Sequence, residues 1–523
     1  MLVGDIIRLN ARSRPRDVAI VAQGEEITAP DLDRRINMVA SALTAGGVSK
    51  GDRVAVLGRN SLEYFLLYFA TAKLGALLVP LNFWHRSPEH CYTVGDCTPR
   101  MLFVDPEFDE VVAAAVAAAE HPLEVVALPG VHQADGSWRA FVQRGITDAQ
   151  PDAEVGEDDP HMIVYTSGTT GRPKGAVLTH RRTMADAFSM SGALGLHAGD
   201  VFLNYFPPFH VGNWDHMKLF LLVGAKVVLL PEFDAGHVLA QIEEHGVTVI
   251  LGVPTMLHAL IEHPDFAGTD RASVRLIYYG AYDPSGIMER TADAFGAHEG
   301  RVQMAHTYGL TEGGCFVTVC PPEHVFAQWG SIGRALTGIE ISLQDDEGAE
   351  VPVGEPGEIC VRGARMSGYW NKPQETAEAL AGDWLHTGDV AVANEDGFLR
   401  IVDRKKDMIR SGGQNVYSKE VEDCLAGHPA VLEVAVVGLP DPVYEERVCA
   451  VVVLAPGATP GDALAGELTA YVRERLAGYN APRTIEFLDE LPKTAVGKIQ
   501  KHRVREQFGS MFDAPAQGGA LRS

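Results

Sequence analysis

Short apolar runs alternate with helix-like stretches through most of the first 330 residues of this 523-residue chain, and this alternation is the strongest constraint on its fold. Helical spacing marks Leu32–Thr44 and Asp109–Ala119. The apolar runs predict buried strands, at Arg53–Leu57, Ala76–Leu81, Met101–Val104, Val125–Leu128, Lys226–Leu230, Val247–Leu251 and Val274–Tyr278. Strands that alternate with helices predict parallel sheets covered by helices, so the expected fold class is α/β.

The texture of the sequence changes after about residue 331. Short strand-like runs at Glu358–Val361, Val390–Val392 and Phe398–Ile401 are separated by Gly, Asp and Asn turns, which predicts a small β-rich lobe. The charged run Asp403–Asp407 then predicts an exposed interdomain hinge, because linkers are polar.

These boundaries predict four parts. Residues 1–403 form a large N-terminal domain of two parallel α/β subdomains and the β-rich lobe, which covers about 331–403. A hinge at 404–406 leads to a mobile α+β C-terminal domain at 407–508. Residues 509–523 are rich in Gly and Ala and are expected to form a flexible tail.

The segment Tyr165–Gly175 predicts a loop that binds a polyphosphate. Its eleven residues include four aliphatic hydroxyls, three glycines and one lysine, and they follow the strand-like run His161–Val164. Glycines let backbone N–H groups approach an anion, and the Lys174 ammonium adds a point charge suited to phosphate. It is not a Walker A loop, because Gly175 follows the lysine where that pattern needs Ser or Thr. A polar hairpin turn without a ligand is the alternative.

The charge and the cysteines exclude several classes of protein. A net charge of −25 and a pI near 5.1 argue against nonspecific nucleic-acid binding and against docking on anionic lipid. No membrane-spanning run or signal-peptide layout is recognisable, so no membrane insertion is expected. The seven scattered cysteines form no C-x-x-C pair, which favours a reduced cytoplasmic location without disulfides or zinc. A homodimer is left open.

The loop and four further strings, in the same order, resemble the motifs of the adenylate-forming enzymes. This family comprises acyl-CoA synthetases, adenylation domains of peptide synthetases and luciferases, and the free-standing acyl-CoA ligases are the nearest group. The further strings are Thr307–Glu312, Trp384–Asp389, Asp403–Val421 and Pro492–Lys498. Five ordered matches make coincidence very improbable. The resemblance implies ATP, Mg²⁺ and coenzyme A as cofactors.

The resemblance also implies which residues bind ATP. Since a carboxylate and a phosphate repel each other, a cation must bridge them, and that role falls to Lys498. Glu312 would be the metal ligand for Mg²⁺. The Thr166 hydroxyl would donate a hydrogen bond to a phosphate oxygen, and these three residues form the predicted catalytic set. The full ATP-binding set is Thr166, Ser167, Gly168, Thr169, Thr170, Gly171, Lys174, Gly280, Ala281, Tyr308, Gly309, Thr311, Asp389, Ile401, Arg404 and Lys498. Core packing is the alternative role for Tyr308, which would otherwise lie against adenine.

For thioester formation the resemblance implies that the small domain rotates about Lys406. The predicted thiol tunnel consists of His210, Ser411, Gly412 and Gly413. The predicted acyl pocket consists of His210, Asn213, Trp214, Tyr279 and Gly280. His210 stands where amino-acid-activating relatives carry Asp, which disfavours an α-amino acid. Bulky aromatic and polar residues in the pocket favour a short or aromatic acid with a polar substituent. The alternative is that Trp214 and Tyr279 only pack the core.

The leading hypothesis is an ATP-dependent ligase that joins a small carboxylic acid to coenzyme A. One alternative keeps the adenylation but passes the acyl group to the phosphopantetheine of a carrier protein, or to another small nucleophile. A luciferase-like oxygenase and a non-catalytic scaffold are two further alternatives. Retention of Lys498, Glu312, Thr166 and Asp389 argues against the scaffold.

Overall fold

The computed structural model forms two compact units. The larger unit comprises Met1–Ala281, Met288–Ile341 and Cys360–Thr387, and the smaller unit comprises Tyr282–Ile287, Ser342–Ile359 and Gly388–Ser523. The predicted hinge at 404–406 stays a prediction. The structure describes residues 1–129, 137–166, 172–280, 286–363, 365–412, 414–493 and 499–509.

The elements follow the alternation that the sequence predicts. The helices of the described residues are α1 (Asp5–Ser13), α2 (Ala29–Ala45), α3 (Leu62–Leu74), α4 (Ser87–Cys97), α5 (Asp109–Ala117), α6 (Trp138–Val142), α7 (His180–Ala193), α8 (Val211–Val223), α9 (Ala235–His245), α10 (Pro254–Ile261), α11 (Ile287–Phe295), α12 (Pro322–Val325), α13 (Pro373–Ala379), α14 (Ser418–Ala426), α15 (Asp462–Arg473) and α16 (Lys501–Gly509). The strands are β1 (Val18–Ala22), β2 (Glu25–Thr28), β3 (Arg53–Leu57), β4 (Leu77–Pro80), β5 (Met101–Val104), β6 (Glu124–Ala127), β7 (Pro160–Thr166), β8 (Lys174–Thr179), β9 (Val201–Asn204), β10 (Lys226–Leu229), β11 (Val249–Gly252), β12 (Leu276–Gly280), β13 (Gln303–Leu310), β14 (Gly314–Cys320), β15 (Arg334–Ala335), β16 (Glu340–Gln344), β17 (Pro356–Arg362), β18 (Gly368–Tyr369), β19 (Leu385–Ala393), β20 (Leu399–Arg404), β21 (Ile409–Ser411), β22 (Gln414–Val416), β23 (Val431–Asp441), β24 (Glu445–Leu454) and β25 (Thr484–Phe487).

The larger unit contains two mixed sheets whose centres are parallel. One has the order β18-β8-β7-β4-β3-β5-β6, and its antiparallel pairs are β7–β8 and β8–β18. The other has the order β15-β14-β13-β12-β11-β9-β10-β1-β2, with antiparallel pairs confined to its two edges. The α/β prediction is confirmed, and antiparallel edge strands are what the apolar pattern alone did not show.

Helix α3 packs against elements that belong to both halves of the larger unit. All but one of its thirteen residues are buried, which explains its largely apolar sequence. The Ser61 side chain accepts from the Tyr64 N–H at its start, and Gly75 ends it in the left-handed conformation at φ 70°. The Tyr68 ring stacks on Trp214 of α8 and meets His161 of β7 edge-on. Each fully buried side chain of this size contributes about 1.5–3 kcal/mol.

Two smaller sheets are also present among the described residues. A four-stranded sheet has the order β16-β17-β19-β20, and its β19–β20 pair sets Asp389 opposite Arg404. A five-stranded sheet in the smaller unit has the order β22-β21-β24-β23, with β25 parallel to β24. The long hairpin β23–β24 buries apolar side chains on both faces, against α14 and α15 on one and α16 on the other. Among the described residues, no helix is both long and apolar enough to cross a bilayer.

Candidate active site

The candidate metal ligand Glu312 lies in the turn between β13 and β14 of the larger unit. Thr166 Oγ1 donates to Glu312 Oε1 at 2.9 Å, and the Tyr369 hydroxyl donates to the same oxygen at 3.1 Å. The Met366 N–H holds the backbone of this turn through the Glu312 carbonyl at 2.7 Å. The fold therefore brings together two residues that the sequence predicts, Thr166 and Glu312, which are 146 positions apart.

Two strand pairings place these groups beside the candidate phosphate loop. Thr166 ends β7 opposite Lys174 at the start of β8, and β18 sets Tyr369 opposite Ala176. The Lys174 ammonium consequently lies 5.3 Å from the centre of the Tyr369 ring. Burial and the neighbouring Glu312 carboxylate raise the pKa of Tyr369, so its hydroxyl stays protonated and remains a donor.

Tyr369 is a site residue that the sequence analysis missed. Its signal is the string Gly368-Tyr369-Trp370, in which a glycine precedes two aromatic residues. Gly368 has a φ of 151°, and a Cβ there would approach Thr376 Cγ2 to 2.8 Å. A side chain larger than hydrogen would therefore press on Thr376, whose hydroxyl accepts from the Tyr369 N–H at 2.9 Å.

The predicted nucleotide residues Gly280 and Tyr308 lie at the carboxyl ends of neighbouring parallel strands. Gly280 ends β12 opposite Thr307 of β13, and Tyr308 is partly buried one position further on. Gly309 has no room for a side chain, because a Cβ there would come within 2.1 Å of the Cys315 carbonyl oxygen. In open α/β sheets, ligands bind at this end of the strands.

In the smaller unit, Asp389 and Arg404 face each other across β19 and β20. Arg404 Nε lies 2.9 Å from Asp389 Oδ1, and the Asp389 side chain is only 6% exposed. Ile401 precedes Arg404 by three positions on β20. The Lys405 N–H donates to the Gly388 carbonyl at 2.8 Å. A buried carboxylate fixed by a guanidinium is oriented as an acceptor for hydroxyl groups.

The predicted hinge residue Lys406 and the predicted tunnel residues Ser411 and Gly412 also lie in the smaller unit, whereas the tunnel residue His210 lies in the larger one. Lys406 precedes Asp407, which forms a 2.8 Å ion pair with Arg505, and burial lowers the pKa of Lys406. Ser411 is buried at the end of β21. Gly412 has a φ of 61°, and a Cβ there would lie 3.1 Å from the Tyr444 ring. Eight predicted site residues lie outside the described residues, namely Ser167, Gly168, Thr169, Thr170, Gly171, Ala281, Gly413 and Lys498.

The predicted acyl-pocket residues lie at the start of α8 and at the end of β12. His210 immediately precedes the helix, and Asn213 accepts from the Asn204 side chain at 2.9 Å. The Trp214 ring is 2% exposed and stacks on Tyr68 at 4.4 Å, so it contributes to core packing. The Tyr279 ring stacks on His306 at 4.5 Å. Lining of the pocket by these side chains stays a prediction.

A network of four buried charged side chains joins α7 and α8. Asp215 accepts from the Lys218 ammonium and lies 3.3 Å from Arg182, whose guanidinium lies 3.2 Å from Asp186. All four side chains are at most 4% exposed. Burial raises the pKa of Asp186 to about 7, whereas for Asp215 the two cations outweigh burial and lower the pKa.

Breaking this network is expected to destabilise the larger unit. Lys218→Met should lower the free energy of unfolding by about 3–5 kcal/mol, because it removes one of the two cations that neutralise Asp215. Thermal unfolding of the variant should show a clearly lowered Tm. Lys226→Met is the matched control, since Lys226 is only partly buried at the start of β10. Equal Tm values for both variants would contradict the expectation.

Comparison with known proteins decides the family. The model of the AMP-binding enzyme family matches residues 7–370, and that of the AMP-binding enzyme C-terminal domain matches residues 420–498. The chain belongs to the AMP-binding enzyme family. The prediction of an adenylate-forming enzyme is thus confirmed, and this AMP-binding enzyme is an acid–CoA ligase that works through an acyl-adenylate.

Individual relatives cover nearly the whole AMP-binding enzyme. It is 40% identical to a feruloyl-CoA synthase of Amycolatopsis sp, over 95% of this chain and 97% of the relative. It is 36% identical to the fatty acid–[acyl-carrier-protein] ligase ScoC of Streptomyces coeruleorubidus, over 95% of each chain. Its structure is similar to that of the anthranilate CoA ligase AuaEII in complex with anthranoyl-AMP, with a TM-score of 0.86, 30% identity and 97% of each chain covered.

Proposed function

We propose that this enzyme activates an aromatic carboxylic acid with a polar substituent and transfers the acyl group to the thiol of coenzyme A. The observation that carries the activation step is the Glu312 carboxylate, which Thr166 and Tyr369 hold beside the candidate phosphate loop. Two hydroxyl donors fix this carboxylate, and the Lys174 ammonium lies near the Tyr369 ring. Such a group of side chains is suited to a metal-bound polyphosphate.

The donor set at Glu312 fits magnesium. Carboxylate and hydroxyl oxygens are hard ligands, and magnesium takes one or two carboxylates together with substrate phosphates. When bound, the ion neutralises charge on the pyrophosphate leaving group. Thr166, Thr311 and Lys174 would bind ATP phosphate oxygens, and Tyr308 would lie against adenine.

The Asp389–Arg404 pair supports a role in ribose binding. The carboxylate of Asp389 would accept hydrogen bonds from the two ribose hydroxyls, and Arg404 orients it through the 2.9 Å contact. Ile401 would pack nearby on the same strand. Lys498 would bridge the acid carboxylate and the α-phosphate.

Two kinds of observation support the aromatic acid. The feruloyl-CoA synthase and the anthranilate CoA ligase are named for aromatic acids that carry hydroxyl, methoxy or amino groups. In this chain, aromatic and polar side chains concentrate around the first turns of α8. Where these side chains line the acyl pocket, as proposed, they would favour a planar ring over a long flexible chain.

A panel of acids in an ATP–pyrophosphate exchange assay tests the proposed acid class. Hydroxylated cinnamic and benzoic acids should be activated at least about ten-fold more efficiently than palmitic acid, because a wall of rings excludes a long chain. Acetate serves as the short, non-aromatic control. Highest activity on long-chain fatty acids would refute the proposal.

The acceptor has a second candidate. ScoC is named as a ligase for an acyl-carrier protein, so the phosphopantetheine of a carrier protein competes with coenzyme A as acceptor. With the best acid from the panel, thioester formation on coenzyme A and on a holo-carrier protein is compared at equal concentrations. Faster acylation of coenzyme A supports the proposal, and faster acylation of the carrier replaces it with the alternative.

The domain roles complete the proposal. Residues 407–508 would rotate about Lys406 between the two half-reactions, and His210, Ser411, Gly412 and Gly413 would line the thiol path in the second. A cytoplasmic location and a homodimeric assembly remain proposals that the sequence permits.

A further inference from the structure

His216 of α8 and Tyr278 of β12 form an imidazole–phenol pair. Both elements also carry predicted site residues. The Tyr278 hydroxyl lies 2.9 Å from His216 Nδ1, and both side chains are buried, at 0% and 6% exposure. Tyr278 precedes Gly280 by two positions on β12, and His216 follows His210 by six in α8.

Small residues surround the other nitrogen of this imidazole. A Cβ built on Gly212 would lie 3.7 Å from His216 Nε2 and 3.8 Å from Cys315 Sγ. Cys315 Sγ itself lies 3.8 Å from Nε2, at the outer limit of contact for a weak sulfur partner. Cys315 is partly exposed and follows Glu312 by three positions. Nε2 is therefore directed towards Gly212 of α8 and Cys315 of β14.

Aromatic rings form the remaining walls around His216. The Phe316 ring meets the imidazole edge-on at 4.7 Å, and the rings of Tyr278 and Phe206 lie at 5.3 Å and 6.0 Å. Burial lowers the pKa of His216 to about 3, with Asp215 opposing the shift and Lys218 adding to it. The imidazole is consequently neutral at pH 7, with one nitrogen a donor and the other an acceptor.

We propose that His216, oriented by Tyr278, is a specificity-determining residue that hydrogen-bonds through Nε2 to a ring hydroxyl of the aromatic acid. The Tyr278 hydroxyl engages Nδ1 and so orients the ring, which leaves Nε2 as the nitrogen directed to the substrate. The inference rests on the proposed aromatic-acid ligase and deepens it. It makes the substrate a hydroxylated aromatic acid, with an amino substituent as the nearest chemical equivalent.

The test compares acids that differ by one hydroxyl group. For wild type and His216→Leu, kcat/KM is measured by pyrophosphate exchange with 4-hydroxycinnamic and cinnamic acid, and with 4-hydroxybenzoic and benzoic acid. The variant should lose about ten-fold or more on the hydroxylated member of the preferred pair and less than about three-fold on its unsubstituted partner. Their ratio is the readout, because a purely structural defect lowers both values alike.

Two further variants keep the test decisive if the leucine variant folds poorly. Tyr278→Phe preserves the ring and removes only the hydroxyl, so the ratio should fall by about three-fold or more. His216→Gln keeps a hydrogen-bonding group and should restore part of the hydroxyl preference relative to leucine. His90→Leu, at a buried imidazole in α4, is the control and should leave the ratio unchanged.

The possible failures are distinguishable. If wild type activates aromatic acids but the hydroxyl ratio is the same in wild type, His216→Leu and Tyr278→Phe, the role of His216 is overturned and the proposed function stands. If wild type activates no aromatic acid in the panel, the proposed function and this inference fall together.

Discussion

Replacing Glu312 by glutamine is expected to lower the rate of acyl-adenylate formation by about 10² to 10³. Glutamine keeps the shape of the side chain and an oxygen that can accept from Thr166 and Tyr369, at present 2.9 Å and 3.1 Å away. What it loses is the negative charge that a hard cation requires. Pyrophosphate exchange at saturating acid and ATP measures the effect, and a magnesium titration should show a raised half-saturation concentration.

Glu323→Gln is the matched control for this change. Glu323 is exposed at the start of α12, so the same loss of charge occurs away from the candidate site. Its exchange rate should stay within about two-fold of wild type, as is usual for surface substitutions. If Glu312→Gln were as active as Glu323→Gln over the whole magnesium range, the assignment of Glu312 as metal ligand would be wrong.

Replacing Lys498 by alanine is expected to separate the two half-reactions. Formation of the acyl-adenylate should fall by about 10³, because no cation would then bridge the attacking carboxylate and the α-phosphate. Thioester formation from preformed acyl-adenylate should stay within a few-fold of wild type, since that step needs no such bridge. Single-turnover assays that start from the acid and from synthetic acyl-adenylate measure the two steps separately.

Lys493→Ala provides the comparison within the same segment. The Lys493 ammonium forms an ion pair with Glu433 at 2.5 Å and is about one-third exposed, so its charge is committed elsewhere. It should leave both half-reactions close to wild type. Equal losses in both half-reactions of Lys498→Ala would contradict the proposed alternation of the small domain.

Much of the fold could be predicted because buried strands leave a direct trace in the sequence. Arg53–Leu57 and Met101–Val104 are strands with the predicted bounds, since parallel strands covered on both faces are continuously apolar. The antiparallel strands β8 and β18 could not be anticipated in this way. They sit at a sheet edge, and β18 has only two residues, too few to show any periodicity.

Residues of the candidate site were predictable only where they belong to one of the matched motifs. Thr166 and Glu312 lie in separate ordered strings, and the fold joins them by a hydrogen bond. Tyr278 and His216 belong to no such string, and their 2.9 Å contact depends on how β12 packs against α8. The ion network around Asp215 was equally hidden, because charged residues in a helix ordinarily indicate a solvated surface.

Helix α8 places the residue proposed to determine substrate preference and the residues that stabilise the core on different sides. Its turn of 3.6 residues puts Gly212 and His216 on one side, and Trp214 and Lys218 about half a turn away. Substrate preference could therefore drift through the first pair while the second keeps the scaffold intact. With the proposed role of His216, selection for altered acid preference should recover changes at residues 212 and 216 more often than at residues 214 and 218.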